Sequence, residues 1–298
     1  MTCREEIRTL KERKSAIILA HNYQPPGIQD MADVVGDSLE LAIAAKATDA
    51  PVIIFCGVDF MAETAKILNP GRKVLIPVKD ATCPLAAQLT PEMILAARKE
   101  HPSAAVVLYI NSTAECKAYA DVICTSANAV KVVSSLGSRE VIVGPDANLA
   151  AYIQDKVPGK CIIPLPSHGH CYVHQMFTED DIREARMRGG KIVCHPECRP
   201  EIQKMSDLVA STGGMVRSAP DAGTWNVFTE RDMGYRLRTL YPDKTFYMRE
   251  DAVCEDMKKI SLEDLRDSLE YEQYEIILPA DIMEKARSAI ERMIEIGR

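Results

Sequence analysis

The sequence predicts an α/β protein made of three similar three-layer αβα units, with parallel sheets arranged around a pseudo-threefold axis. Two observations carry this prediction. Short β-branched apolar runs alternate with helix-like stretches, which is typical of parallel strands covered by helices. The residues that follow these runs recur with a period of about 86, which indicates three copies of one α/β unit.

Six apolar runs are expected to be strands. In chain order they are AIILA (16–20), PVIIF (51–55), AVVLYI (105–110), EVIVG (140–144), KIVC (191–194) and NVF (226–228). None of them is long enough to cross a bilayer, and the charged opening MTCREEIRTLKERK does not resemble a signal peptide. We therefore expect a cytoplasmic protein that has no membrane partner.

The residues at the strand ends define the repeat. His21, Tyr109 and His195 end or follow the first strand of each unit and are 88 and 86 residues apart. A second series, with spacings of 87 and 85, consists of Gly57, Gly144 and Thr229. The predicted units therefore span 1–100, 101–187 and 188–273, and a C-terminal strand and helix tail at 274–298 packs back on them.

Three hydroxyl residues form another series in the same phase. Ser38, Ser126 and Thr212 are 88 and 86 residues apart, and each precedes a helix-like stretch, so each is expected to be an N-cap. Helix N-termini favour carboxylate or phosphate groups. With a net charge of −7 and no basic run, the chain is not expected to bind nucleic acid, and local groups of this kind would have to hold an anionic substrate.

Three of the ten cysteines share a phase as well. Cys83, Cys171 and Cys254 are 88 and 83 residues apart, and one thiol per unit could converge near the axis as a metal site. The chain contains no Cys-x-x-Cys pair, which disfavours a zinc ribbon, a thioredoxin site or a bacterial ferredoxin motif. The alternative is that each is a small packing residue, as we expect of Cys3, Cys56, Cys116, Cys124, Cys161, Cys194 and Cys198.

Three converging thiolates favour a particular kind of metal centre. Structural zinc normally has four protein ligands, whereas a 4Fe–4S cluster on three cysteines leaves one iron open as a Lewis acid, which suits a dehydratase. A zinc-stabilised binding protein and an electron-transfer protein remain as alternatives. Ligands of open parallel sheets lie beyond the carboxyl ends of the strands, which predicts a shared cavity near His21, Tyr23, Tyr109, Asn111, His195 and Glu197.

A series of short motifs runs in order along nearly the whole chain. They are ILAHNYQ (18–24), GDSL (36–39), GVDFMAE (57–63), ATCPLA (81–86), YINSTAECK (109–117), CTSANA (124–129), GPDANLA (144–150), GHCYVHQ (169–175), HPEC (195–198) and STGGM (211–215). Together with Cys254, this set closely resembles the quinolinate synthase family, the A protein of de novo NAD biosynthesis. The resemblance implies that iminoaspartate and dihydroxyacetone phosphate condense to quinolinate with loss of phosphate and two waters. An aspartate oxidase or dehydrogenase would supply the iminoaspartate.

The resemblance also implies roles for individual residues. A 4Fe–4S cluster would be held by Cys83, Cys171 and Cys254, and the catalytic residues would be Tyr23, Glu197, His21 and His195, with proton transfers assigned to Tyr23 and Glu197. Substrate contacts would come from His21, Ser38, Tyr109, Ile110, Asn111, Ser126, His174, His195, Pro196, Glu197 and Thr212.

The sequence departs from the family pattern at two places. The segment VCEDMKK has a single cysteine, Cys254, where some members carry a Cys-x-x-Cys-x-x-Cys run, and TERDMG (229–234) is less regular than expected. Another 4Fe–4S dehydratase with an anionic substrate remains the nearest alternative function.

Overall fold

The computed structural model describes residues 2–297 and contains three four-stranded sheets, each wholly parallel. The first sheet contains β1 (Ala16–His21), β2 (Val34–Gly36), β3 (Val52–Cys56) and β4 (Lys73–Leu75). The second contains β5 (Ala105–Tyr109), β6 (Val122–Cys124), β7 (Glu140–Gly144) and β8 (Cys161–Pro164). The third contains β9 (Lys191–Cys194), β10 (Leu208–Val209), β11 (Thr224–Phe228) and β12 (Thr245–Met248).

The three sheets have one topology. Their strand orders are β2-β1-β3-β4, β6-β5-β7-β8 and β10-β9-β11-β12, so the first and third strands of each unit are always central. The six predicted strands are these central strands, and all six are confirmed. The fold class, an α/β protein of three similar units with parallel sheets, is therefore confirmed as well.

Helices flank the sheets, and the central strands are consequently buried on both faces. The helices are α1 (Cys3–Lys14), α2 (Pro26–Gln29), α3 (Ser38–Ala47), α4 (Asp59–Leu68), α5 (Pro91–Glu100), α6 (Ala114–Lys117), α7 (Ala129–Ser135), α8 (Ala147–Lys156), α9 (Glu179–Arg188), α10 (Pro200–Met205), α11 (Thr212–Ser218), α12 (Met233–Leu240), α13 (Leu262–Tyr271) and α14 (Ala280–Gly297). Among residues 2–297, no helix combines the length and the apolar character that a bilayer crossing requires.

The C-terminal segment packs on the first two sheets. Tyr274 exchanges backbone hydrogen bonds of 2.9 and 3.0 Å with Ile76, just beyond β4, and α14 buries Ile290 and Met293 in the core shared by the first and second sheets. Each sheet lies within one of the predicted units, and the limits 1–100, 101–187, 188–273 and 274–298 themselves stay a prediction.

The prediction of three N-caps is wrong. Asp37 caps α3, because its Oδ1 atom accepts from the backbone N–H groups of Leu39 and Glu40 at 3.0 and 2.9 Å. Ser211 caps α11, accepting from Gly214 at 3.1 Å, and α7 begins after Asn128. The N-cap falls one residue before or two residues after the predicted position, so capping does not occupy the hydroxyls of Ser38, Ser126 and Thr212.

Candidate active site

The carboxyl ends of the central strands surround one pocket, and all three sheets contribute to it. The predicted site residues that line it are His21, Tyr23, Ser38, Cys83, Tyr109, Asn111, Ser126, Cys171, His174, His195, Glu197, Thr212 and Cys254. Every one of them ends or follows a strand, opens a helix or lies in a loop beyond a strand end. Parallel-sheet topology therefore explains why residues so distant in sequence meet.

Two predicted substrate contacts, Ile110 and Pro196, do not line this pocket. Ile110 is buried, and its N–H donates to the Cys124 carbonyl at 2.8 Å, which continues the pairing of β5 with β6. The Pro196 carbonyl accepts from Gln203 Nε2 at 2.8 Å. Both residues contribute backbone structure next to pocket residues.

His21 and His195 occupy equivalent positions and share a protonation state. In each ring, Nδ1 accepts a hydrogen bond from the backbone N–H two residues later. Tyr23 donates to His21 at 3.2 Å, and Glu197 donates to His195 at 3.3 Å. The ring proton is therefore on Nε2. Burial lowers the pKa of each imidazole to about 3, so at neutral pH both rings are uncharged N–H donors at the pocket.

Glu197 joins the second and third sheets through its carboxylate. Tyr109 donates its hydroxyl to Oε1 at 2.6 Å, and His174 Nδ1 lies 2.8 Å from Oε2. Burial alone would raise the pKa of Glu197, but the neighbouring His174 imidazole and the hydrogen bond from Tyr109 outweigh it and lower the pKa. Glu197 is therefore an ionised base in a buried site.

A chain of close polar contacts connects Tyr23 with Glu197. The Tyr23 hydroxyl lies 2.5 Å from Thr229 Oγ1, which lies 2.9 Å from His174 Nε2. Burial, followed by the charge of Glu197, raises the pKa of Tyr23, so the phenol is protonated at neutral pH. The path from Tyr23 through Thr229 and His174 to Glu197 can carry a proton between groups from all three sheet regions.

Sequence reasoning did not assign Thr229 to the site. It follows β11 and belongs to the series of second strand ends, which is the signal that could have identified it. The segment TERDMG also contains Glu230, which is fully buried and lines the pocket. The irregularity of this segment therefore does not remove it from the site.

Ser38, Ser126 and Thr212, the three hydroxyl residues that recur with the repeat, differ in their hydrogen-bond partners. Ser126 Oγ lies 3.2 Å from His195 Nε2, and Thr212 Oγ1 accepts from Asn22 Nδ2 at 2.9 Å. Within residues 2–297, Ser38 Oγ makes no hydrogen bond to the chain, and no lysine or arginine lines the pocket. An anionic ligand would thus be held by neutral donors.

Cys83, Cys171 and Cys254 are the cysteines that line the pocket. Burial raises the pKa of each thiol, and the charge of Cys254 raises the pKa of both Cys83 and Cys171 further. Such thiols stay protonated unless a metal displaces the proton.

Each of these cysteines precedes a 3₁₀ turn, Cys83 and Cys171 by three residues and Cys254 by one. The turns are Ala86–Gln88, His174–Met176 and Glu255–Lys258. The backbone N–H three residues after each cysteine, at Ala86, His174 and Met257, stabilises that thiolate. Three pocket thiols, each stabilised as a thiolate by the backbone N–H three residues later, form a donor set that fits a thiolate-bound metal centre.

The other seven cysteines lie outside the pocket lining. Five of them are buried, as expected of packing residues, and Cys3 is partly buried against α13 and β1 neighbours. Cys161 is exposed, so its prediction as a packing thiol is wrong. It begins β8 at the edge of the second sheet, where no further strand covers it.

A second arrangement could hold a single metal ion. The ligand atoms of Cys171, His174 and Glu197 all lie within 4.8 Å of one another. In this set the imidazole and the carboxylate already bind each other and, respectively, Thr229 and Tyr109. The two arrangements share only Cys171, which makes them separable by mutation.

Known proteins are similar to this chain over nearly its whole length. The model of the family described as quinolinate synthetase A protein matches residues 5–295. The chain is 58% identical over 297 residues to the quinolinate synthase of Pyrococcus horikoshii, covering 99% of both chains. It is 56% identical to that of Thermococcus onnurineus, covering 98% of this chain and 97% of the relative, and 49% identical to that of Thermotoga maritima, covering 98% and 99%. The chain belongs to the quinolinate synthetase A protein family.

Proposed function

We propose that this protein condenses iminoaspartate with dihydroxyacetone phosphate to form quinolinate, releasing phosphate and two waters, with a 4Fe–4S cluster as cofactor. One observation carries the proposal. Three thiols, one from each sheet region, line the same pocket as two neutral imidazoles, two phenols and an ionised carboxylate. Such a site combines a metal centre with the acid and base groups that a dehydrating condensation needs.

The cofactor would be held by Cys83, Cys171 and Cys254. These residues provide three soft ligands with no fourth cysteine in the pocket lining of residues 2–297. When bound, the cluster would supply an open iron that acts as a Lewis acid toward a substrate hydroxyl or carboxylate.

Substrate binding would rely on uncharged donors. Both substrates are anions, and the Nε2–H groups of His21 and His195 are buried donors whose neutrality prevents them from being tied up in strong ion pairs. The hydroxyls of Ser38, Ser126 and Thr212 and the amide of Asn111 add further polar contacts along the pocket.

Proton transfer would use Tyr23 and Glu197, the two ends of the chain of polar contacts. Tyr23, protonated because its pKa is raised, is the acid, and Glu197, ionised, is the base. Thr229 and His174 lie between them at 2.5, 2.9 and 2.8 Å spacings, so a proton lost at one end can be replaced from the other.

The substrate iminoaspartate is an oxidation product of aspartate. An aspartate oxidase or dehydrogenase would therefore act before this protein, and the two enzymes would be coupled through the imine alone. This coupling requires no complex between the two proteins.

The test is quinolinate formation by protein purified without oxygen. We expect a brown protein that contains iron and sulfide and makes quinolinate only when both substrates are present. A colourless zinc protein would favour the binding-protein alternative. An iron–sulfur protein that consumes neither substrate would favour electron transfer, and one that dehydrates a different anion would favour another dehydratase.

A further inference from the structure

Three loops carry the pocket cysteines, and each loop follows the last strand of its sheet. They span 76–90 after β4, 165–178 after β8 and 249–261 after β12, and we call them the cysteine loops. Each pocket cysteine is partly buried, and an exposed residue stands directly beside it in the chain. The cysteine side of the pocket therefore lies close to the protein surface, where contacts between the loops determine how open it is.

A glutamine joins the first cysteine loop to the second. Gln88 Nε2 donates to the His170 carbonyl at 2.9 Å, and Gln88 Oε1 accepts from the His170 N–H at 3.1 Å. The same Nε2 atom donates to the Pro84 carbonyl at 3.2 Å. Pro84 directly follows Cys83, and His170 directly precedes Cys171. One amide group therefore holds the backbone next to two of the pocket cysteines.

A tyrosine joins the second cysteine loop to the third. Tyr172 directly follows Cys171, and its hydroxyl oxygen accepts from the backbone N–H of Glu255 at 2.8 Å. The same hydroxyl donates to the Val253 carbonyl over a longer distance of 3.5 Å. Because Val253 and Glu255 stand on either side of Cys254, Tyr172 holds the backbone around the third cysteine.

A lysine joins the third cysteine loop back to the first. Lys259 Nζ donates to the Asp80 carbonyl at 2.6 Å and to the Asp256 carboxylate at 2.8 Å. Lys259 stands five residues after Cys254, the same offset that the bridging glutamine has in the first loop. With this bond, each cysteine loop contacts the other two, and the contacts form a closed circle.

We propose that Gln88, Tyr172 and Lys259 are positioning residues, which fasten the three cysteine loops to one another and so keep the three thiols converged on the metal centre. This inference rests on the cluster assigned under the proposed function.

The surface position of these contacts explains why their loss should affect the metal more than the fold. A single hydrogen bond at the surface contributes little to global stability, and a surface loop opens at a much lower free energy than the whole domain unfolds. A cysteine that moves away with an opened loop no longer holds the metal. Outer groups that orient metal ligands typically change metal affinity by about 10- to 100-fold when they are lost.

The substitution Gln88→Ala breaks the first link, and its matched control is Gln154→Ala. Gln154 makes the same pair of bonds with the backbone, because its Nε2 donates to the Lys160 carbonyl and its Oε1 accepts from the Ile162 N–H, both at 2.9 Å. These three residues belong to the second sheet region and stand outside the cysteine loops. The control therefore removes an equal interaction elsewhere.

The substitution Tyr172→Phe breaks the second link, and its matched control is Tyr235→Phe. The Tyr235 hydroxyl donates to Asp30 at 2.5 Å and so also joins two sheet regions, but both residues stand outside the cysteine loops. Each change removes one hydroxyl and keeps the aromatic ring. The third link is broken by Lys259→Met, which removes the donor and keeps a long side chain.

The experiment measures iron release to a chelator from anaerobically purified wild type and the five variants, with circular dichroism and urea unfolding as checks of the fold. We expect release about 10-fold faster or more from Gln88→Ala, Tyr172→Phe and Lys259→Met, together with an altered spectrum of the reduced cluster. Both controls should behave like wild type. If one of the three variants does not fold, the other two decide.

Release at the wild-type rate from the three variants would overturn the inference and leave the cluster assignment intact. Equally fast release from the two controls would also overturn it, because any lost surface hydrogen bond would then loosen the metal. A wild type without iron would instead overturn the proposed cofactor and this inference with it.

Discussion

At the scale of single residues, burial sets the protonation of the groups that face the pocket. Desolvation lowers the pKa of His21 and His195 to about 3 and raises the pKa of Tyr23 and Tyr109 well above the usual value, so all four are neutral. Glu197 is ionised because His174 and the hydrogen bond from Tyr109 lower its pKa more than burial raises it. Neutral donors around the Glu197 carboxylate suit the handling of anions and protons.

Tyr23→Phe tests the acid directly. The change keeps the ring and removes only the hydroxyl that lies 2.5 Å from Thr229. We expect near-normal folding, a normal iron content and a turnover rate lowered about 100-fold or more, since a positioned proton donor is lost. Turnover with both substrates, measured beside iron content, is the readout. Wild-type turnover would show that this phenol only packs.

His195→Gln tests the lowered histidine pKa. The folded pKa is about 3 and the unfolded value 6.5, so between these limits the unfolded chain binds one proton more. The stability that burying neutral His195 contributes is therefore present above pH 6.5 and is lost as the pH falls towards about 3. We measure the free energy of unfolding of the metal-free chain in urea. As the pH falls from about 6 to about 4, this free energy should decrease by about 1.4 kcal/mol less per pH unit in the variant than in wild type. Identical slopes for the two proteins would mean that His195 is not buried in its neutral form.

At the scale of helices and strands, capping and ligand binding are assigned to adjacent residues. Ser38 is the first residue of α3, and its hydroxyl is not used for capping because Asp37 caps the helix. Thr178, by contrast, caps α9 with a capping box and lies outside the pocket lining. The two residues can therefore be compared as a ligand and a cap.

We expect Ser38→Ala to weaken substrate use about 10-fold or more, because a hydrogen bond to a charged group is lost. The free energy of unfolding should change little. Thr178→Ala should do the opposite, costing about 1 kcal/mol of stability and leaving kinetics unchanged. Steady-state kinetics and urea unfolding of both variants provide the check. A Ser38→Ala protein that is less stable but fully active would assign the hydroxyl to structure.

The sequence predicted the central strands because burial on both faces makes them continuous apolar runs. The edge strands are only two to four residues long and carry too little pattern to be recognised, as β10 (Leu208–Val209) shows. The N-cap positions were predicted wrongly because Asp37 and Ser211, which directly precede Ser38 and Thr212, are also good N-caps. One further series has spacings of 88 and 86 residues and follows the same period. It consists of Asp33, Asp121 and Asp207, each of which accepts an N–H of a central strand.

At the scale of the whole molecule, the site exists only because three similar units bring their strand ends together. The period in the sequence was enough to predict that Cys83, Cys171 and Cys254 share a pocket, since equivalent positions in equivalent units end at equivalent places. It could not predict the chain from Tyr23 through Thr229 to His174, because contacts between units depend on how the sheets pack.

The measurement that tests the central claim most directly is the iron content of Cys254→Ala, purified without oxygen beside wild type and Cys198→Ala. Cys254 belongs to the three-thiol site but not to the group of Cys171, His174 and Glu197, and Cys198 is a buried cysteine outside the pocket lining. We predict about four irons per chain in wild type and Cys198→Ala, and little or no iron in Cys254→Ala. A Cys254→Ala protein that keeps its iron and its quinolinate synthesis would contradict the three-thiol cluster.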